Sequence, residues 1–166
     1  VVAAFGQILP KAVLDLPSRG SVNVHPSLLP RYRGAAPIAW DLINGETETG
    51  MTTFLMDAGM DSGPILLQQA VPILPDEDAG SLTVRLARIG AELLLKTLDA
   101  LEAGQLTPRP QDQAQATFAP RLKKEDGLLH WHSTATALVN RVRGFTPAPG
   151  AFTLWRNRRL TVLSAL

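Results

Sequence analysis

Apolar residues in this chain gather in short runs separated by polar stretches rich in glycine and proline. Residues 1–5 (VVAAF), 21–24 (SVNV), 51–56 (MTTFLM) and 64–73 (PILLQQAVPI) each read as a strand, the last pairing back on the one before it. Residues 11–16 read as a short helix and 36–43 as a longer one. A much stronger helical signal follows, with Leu82, Leu86, Ile89, Leu93 and Leu101 recurring at near-helical spacing. Ser81 stands where an N-cap belongs and Gly104 where a C-cap does, so the stripe is a core-facing helix face. This order predicts an α/β sheet, mixed rather than purely parallel toward its end. Residues 104–115 (GQLTPRPQDQAQ) are polar, carry two prolines and show no period, so they read as a linker. Beyond it, 135–142 read as a helix, and 152–155 and 160–163 as two strands around the polar turn 156–159. That second piece reads as the start of another, strand-rich domain. The expected division is residues 1–104, linker 105–118, and 119–166.

Composition narrows the class. The 166 residues, 45% of them hydrophobic, suit one domain plus part of another. The chain has no cysteine, which excludes a disulfide framework, a thiolate zinc site and a cysteine nucleophile. No apolar run approaches the ~20 residues of a membrane span, and the apolar start is too short and lacks the basic flank of a signal peptide. The chain opens without methionine on one strand-like run and closes on another. Unpaired buried strand edges are costly, so a piece of a longer chain, missing both ends, is expected. The net charge of +1 conceals a division. Through Phe118 the charge is −5, whereas from Ala119 onward eight basic residues face only Glu125 and Asp126, for +6. Such asymmetry points the basic part toward a polyanion, although ordinary surface variation produces it too.

Two segments can carry chemistry. In Asn23-Val24-His25-Pro26-Ser27-Leu28-Leu29-Pro30-Arg31-Tyr32-Arg33-Gly34, Asn23 and His25 lie two apart at a strand's end, so their side chains leave one face. Carboxyl ends of strands are where open α/β sheets bind ligands. An amide beside an imidazole offers a neutral donor for an oxyanion and a proton shuttle near neutral pH. Taken alone, the pair reads more readily as a buried, satisfied histidine beside a turn-forming asparagine. The second segment, Met56-Asp57-Ala58-Gly59-Met60-Asp61-Ser62-Gly63-Pro64, is a loop holding two carboxylates four apart. Either could orient and charge His25, and a plain acidic surface hairpin is the alternative.

Together, NVHPSLLPRYRG and MDAGMDSGPIL, with the spacing between them, resemble the signature of the folate-dependent formyltransferases, which move a formyl group from 10-formyltetrahydrofolate to an amine. The resemblance covers nearly the whole chain. It implies the C-terminal part of a Rossmann-like catalytic domain with a mixed sheet, a linker, and the start of a smaller barrel-like domain. It implies Asn23, His25 and Asp61 as the catalytic trio, with Asp57 the alternative carboxylate. It implies a folate site lined by Ser27, Leu28, Leu29, Pro30, Met56, Asp57, Gly59 and Gly63, and no metal. Arg33-Gly34-Ala35-Ala36-Pro37-Ile38, the block Lys123-Lys124-Glu125-Asp126-Gly127, Trp131, and Arg143-Gly144-Phe145 through Pro149-Gly150-Ala151 resemble members that act on initiator methionyl-tRNA. Ala148 departs from the Pro-Trp-Pro those members usually carry. The implied partners are that tRNA and the folate, for a cytoplasmic monomer. Arg121, Lys123 and Lys124 are the first candidates for tRNA phosphates, followed by Arg141, Arg143, Arg156, Arg158 and Arg159. A member acting on an amino-sugar nucleotide is the alternative. A catalytically silent folate- or RNA-binding relative is another, against which stand the three filled trio positions.

Overall fold

The computed structural model describes residues 1–7 and 9–166. Three antiparallel strands form its sheet in the order β1 (Val22–His25), β2 (Glu48–Leu55), β3 (Ile65–Pro72). Helix α1 (Lys11–Leu14) precedes β1, and α2 (Pro37–Ile43) connects β1 to β2. The sheet is mixed because Val2 pairs in parallel with Asn23 on the free side of β1. The expected buried strand over 1–5 is otherwise absent. Ala4 at φ +48° and Gly6 at φ +70° turn the backbone out of extended geometry, and Val1 and Phe5 are exposed.

Central strand β2 is buried along almost its whole length, and its three buried threonines each find a partner. Thr49 donates to Asp41, Thr52 to the Ser27 carbonyl, and Thr53 pairs with Thr97. One face of the sheet is covered by α3 (Ala79–Glu102), which buries Leu82, Leu86, Gly90, Leu93 and Thr97. Gly90 is required by close packing, since a Cβ there would sit 2.6 Å from Met51 Cε. The N-cap is Asp78, three residues before the expected one. Asp78 Oδ1 accepts the Ser81 N–H at 2.8 Å while Ser81 Oγ accepts the Asp78 N–H at 3.0 Å, so Ser81 is the far half of a capping box. At the other end Gly104 follows the C-cap Ala103 at φ +68°.

After the linker, α4 (Ala135–Phe145) lies across α2, and the hairpin β4 (Ala151–Trp155), β5 (Arg158–Val162) packs on it around Leu129, Val142, Phe145 and Ala151. The helices approach closely because Gly144 has no side chain; a Cβ there would lie 2.8 Å from the Ala39 carbonyl oxygen. Arg143 donates to the carbonyls of Glu77 and Leu74 at 2.7 and 2.8 Å, and Arg141 to that of Asp126. These two arginines thus spend hydrogen bonds on backbone carbonyls. Arg121, Lys123 and Lys124 are exposed, as are Arg156, Arg158 and Arg159. Among the described residues no helix is long and apolar enough to cross a membrane.

Candidate active site

The register of β1 on β2 places Asn23 opposite Phe54 and His25 opposite Thr52. Both side chains reach a cavity of about 700 Å³ between the sheet, residues 2–7, the loop 56–61, the segment around Gly34 and helix α3. A cavity of this size and apolar lining suits a drug-sized organic ligand.

His25 is buried, and its Nε2 lies 2.9 Å from the Tyr32 carbonyl oxygen. A carbonyl only accepts, so the Nε2 proton is fixed there and Nδ1 carries the free lone pair. Asp61 Oδ2 stands 3.6 Å from that Nδ1. Burial pushes the His25 pKa below its usual value, and the pull of Asp61 and Tyr32 in the other direction does not overcome it. The expectation that Asp61 raises the histidine therefore holds for its own contribution and fails for the net result. Protonated, the ring would donate from both nitrogens, to Tyr32 and toward Asp61. Neutral, it presents a base into the cavity.

The loop holds its two carboxylates differently. Asp57 turns back on its own loop, accepting from the Gly59 N–H at 2.9 Å and from Ser62 Oγ at 2.8 Å. Asp61 sits in the left-handed region at φ +49° and accepts the Gly34 N–H at 2.8 Å. Asn23 is held from the side, its Nδ2 lying 3.9 Å from Met56 Sδ.

Of the residues expected to line a folate site, Met56, Asp57 and Gly59 line this cavity. Ser27, Leu28, Leu29 and Pro30 are not among the lining residues. Ser27 Oγ donates to the Arg31 carbonyl at 2.7 Å, Leu28 lies over Gly50, and Leu29 is buried with Phe54 and Ile65. They build the turn that presents His25. Gly63 is also outside the cavity and serves the backbone, because a Cβ there would fall 1.8 Å from the Leu55 carbonyl oxygen. Sequence reasoning missed the helix wall. Ala87, Gly90, Ala91 and Leu94 line the cavity from α3, and three small residues at helical spacing beside a leucine stripe were the available signal. Nor did sequence reasoning show that Gln111 is buried and donates to the carbonyls of Asp61 and Gly63. Among the described residues no cluster of three or more His, Cys, Asp or Glu side chains could hold a metal ion.

A neutral amide and a buried imidazole on β1 and an aspartate from the 56–61 loop thus meet beside one largely apolar cavity. The chain belongs to the formyl transferase family: residues 1–98 match its formyl transferase domain and 121–166 its C-terminal domain. It is 55% identical over 165 residues to methionyl-tRNA formyltransferase of Syntrophus aciditrophicus, covering 99% of this chain and 53% of the relative. To the enzyme of the same name from Geobacter sulfurreducens it is 57% identical over 160 residues, covering 96% and 50%. The chain thus spans about half the length of the curated relatives it matches. Among solved structures, a Mycobacterium tuberculosis protein assigned as a sugar N-formyltransferase aligns with TM-score 0.80 at 28% identity, over 99% of this chain and 72% of that one. HypX from Aquifex aeolicus, solved with tetrahydrofolic acid, shares the fold with TM-score 0.73 at 19% identity, over 86% and 25%.

Proposed function

We propose that the protein transfers a formyl group from 10-formyltetrahydrofolate to the α-amine of initiator methionyl-tRNA, as a cytoplasmic monomer, with Asn23, His25 and Asp61 as its catalytic residues. The observation that carries this reading is the convergence of these three side chains on one apolar cavity, in a chain more than half identical to enzymes named for that reaction. The apolar cavity suits the flat ring system of the folate, with Met56 and α3 as its walls and Asp57 and Gly59 at its rim.

The chemistry is direct acyl transfer. The neutral amine attacks the formyl carbon, a C–N bond forms, and charge collects on the formyl oxygen. Asn23 Nδ2–H is a neutral donor for that oxygen, a contribution of about 3–4 kcal/mol for a well-placed group. The amine's surplus proton moves to His25 Nδ1, the nitrogen left free by the Tyr32 bond. The resulting imidazolium is held between Tyr32 and Asp61. It returns the proton to the folate nitrogen as the old C–N bond breaks. A lowered histidine pKa keeps the base form available at neutral pH, so turnover should fall as acidity protonates His25 before the amine arrives.

A sugar amine is the second reading, favoured by the Mycobacterium tuberculosis relative. Both are tested by assaying the complete gene product with 10-formyltetrahydrofolate and either methionyl-tRNA or an amino-sugar nucleotide. His25→Ala, Asn23→Ala and Asp61→Asn should each lower turnover on methionyl-tRNA about a hundredfold or more with folate binding little changed, while Asp57→Asn does much less. Formylation of the sugar nucleotide alone would move the acceptor, and near-normal turnover of His25→Ala would overturn the mechanism.

A further inference from the structure

The segment between the two family domains runs from β3 to Arg33 against the 61–63 loop. Arg109 pairs with Ile65 through backbone bonds of 2.8 Å in both directions, and Ala119 donates to the Arg33 carbonyl at 2.7 Å. Between these points Gln111 is buried and its amide is fully used. Nε2 donates to the carbonyls of Asp61 and Gly63, each at 2.8 Å, and Oε1 accepts from Arg33 Nε and Nη2 at 3.0 and 2.6 Å. Two donors and two acceptors exhaust what a carboxamide can do. Arg33 is itself buried, and its guanidinium donates to Gln111 and Gln113.

Asp61 needs such a hold. Its left-handed backbone is one that L residues adopt only when the surroundings over-determine it. Its carboxylate reaches His25 across 3.6 Å, so a small rotation of the loop would separate them. The two carbonyls that Gln111 grips bracket Ser62, the residue immediately after Asp61.

We infer that Gln111 is a positioning residue for Asp61, fixing the 61–63 loop so that the carboxylate faces His25 Nδ1. This rests on the proposed role of Asp61 in formyl transfer. The side chain touches no reacting atom and acts through the aspartate. Its placement also makes the segment leading to Arg121, Lys123 and Lys124 continuous with the catalytic loop.

The test uses the complete gene product. Gln111→Met keeps the volume and removes all four hydrogen bonds. Turnover should fall about tenfold or more, as a displacement near 1 Å can cause, with KM for folate and acceptor within about twofold. Asp61 is the charged group that raises the His25 pKa, so the His25 titration followed by NMR should move to lower pH. A role in stability alone would lower the melting temperature and leave that titration in place. Gln111→Glu provides the second variant, since it keeps an acceptor for Arg33 and loses both donors to the loop. It should stay folded and show the same fall in turnover at unchanged KM. Parental turnover in Gln111→Glu, or an unmoved His25 titration in a folded Gln111→Met, overturns the inference. Asp61→Asn separates the two readings: if it is slow while the Gln111 variants are normal, only the positioning role fails; if it is fast, the catalytic reading fails first.

Discussion

Asp41 should make the protein less stable as pH rises from acid to neutral, and Asp41→Asn should remove that dependence. The carboxyl lies in α2, 2% exposed, with Thr49 Oγ1 donating to it at 2.5 Å. Burial raises its pKa from 3.8 to about 7, while the Thr49 bond lowers it, Glu46 adds to the rise and Arg31 opposes it. Below pH 3.8 both folded and unfolded chains hold the proton, so the group contributes nothing to the pH dependence. Between 3.8 and about 7 the unfolded chain releases it while the folded chain keeps it, and stability falls. Above about 7 the loss is complete and constant, on the order of 4 kcal/mol for that interval. An asparagine presents the same carbonyl to Thr49 without titrating. Urea unfolding of parent and Asp41→Asn should therefore give a stability difference that grows in the variant's favour by on the order of 4 kcal/mol from about pH 4 to pH 8. The midpoint of the Asp41 carboxyl carbon shift in the parent should lie near 7. A difference that stays constant across that range would refute the reasoning, because every other titrating group is common to the two proteins.

Neutralising Arg121, Lys123 and Lys124 together should weaken methionyl-tRNA binding and flatten its salt dependence by roughly 0.9 in log–log slope per lost phosphate contact. Folate affinity should be unchanged, and parallel slopes would remove these residues from the tRNA surface. Gly63→Ala would drive a methyl into the Leu55 carbonyl, so it should destabilise by about 1–3 kcal/mol. It should also lower turnover by displacing the neighbouring Asp61; a melting curve and a turnover assay indistinguishable from the parent's would contradict the packing described.

Regular elements were legible in the sequence because their signals are local. The stripe through Leu82, Leu86 and Leu93 located α3, and the turn residues bounded β2 and β3. The same locality limited what could be read of the site. Asp57 and Asp61 are four apart in one loop and chemically equal; only the fold turns one onto Ser62 and the other onto Gly34 and His25. Ser27, Leu28, Leu29 and Pro30 belong to the densest motif, yet their constraint comes from the turn: Thr52 and Gln68 bind that turn's backbone across more than fifteen residues of chain. Gln111 lay hidden for the opposite reason. A polar, proline-bearing stretch without period is read as solvated, and nothing local distinguishes a glutamine facing water from one gripping carbonyls 48 and 50 residues away. Motifs therefore mark backbone that must hold its shape as well as side chains that react, and a buried polar residue in an aperiodic segment becomes visible only once its hydrogen bonds are accounted for.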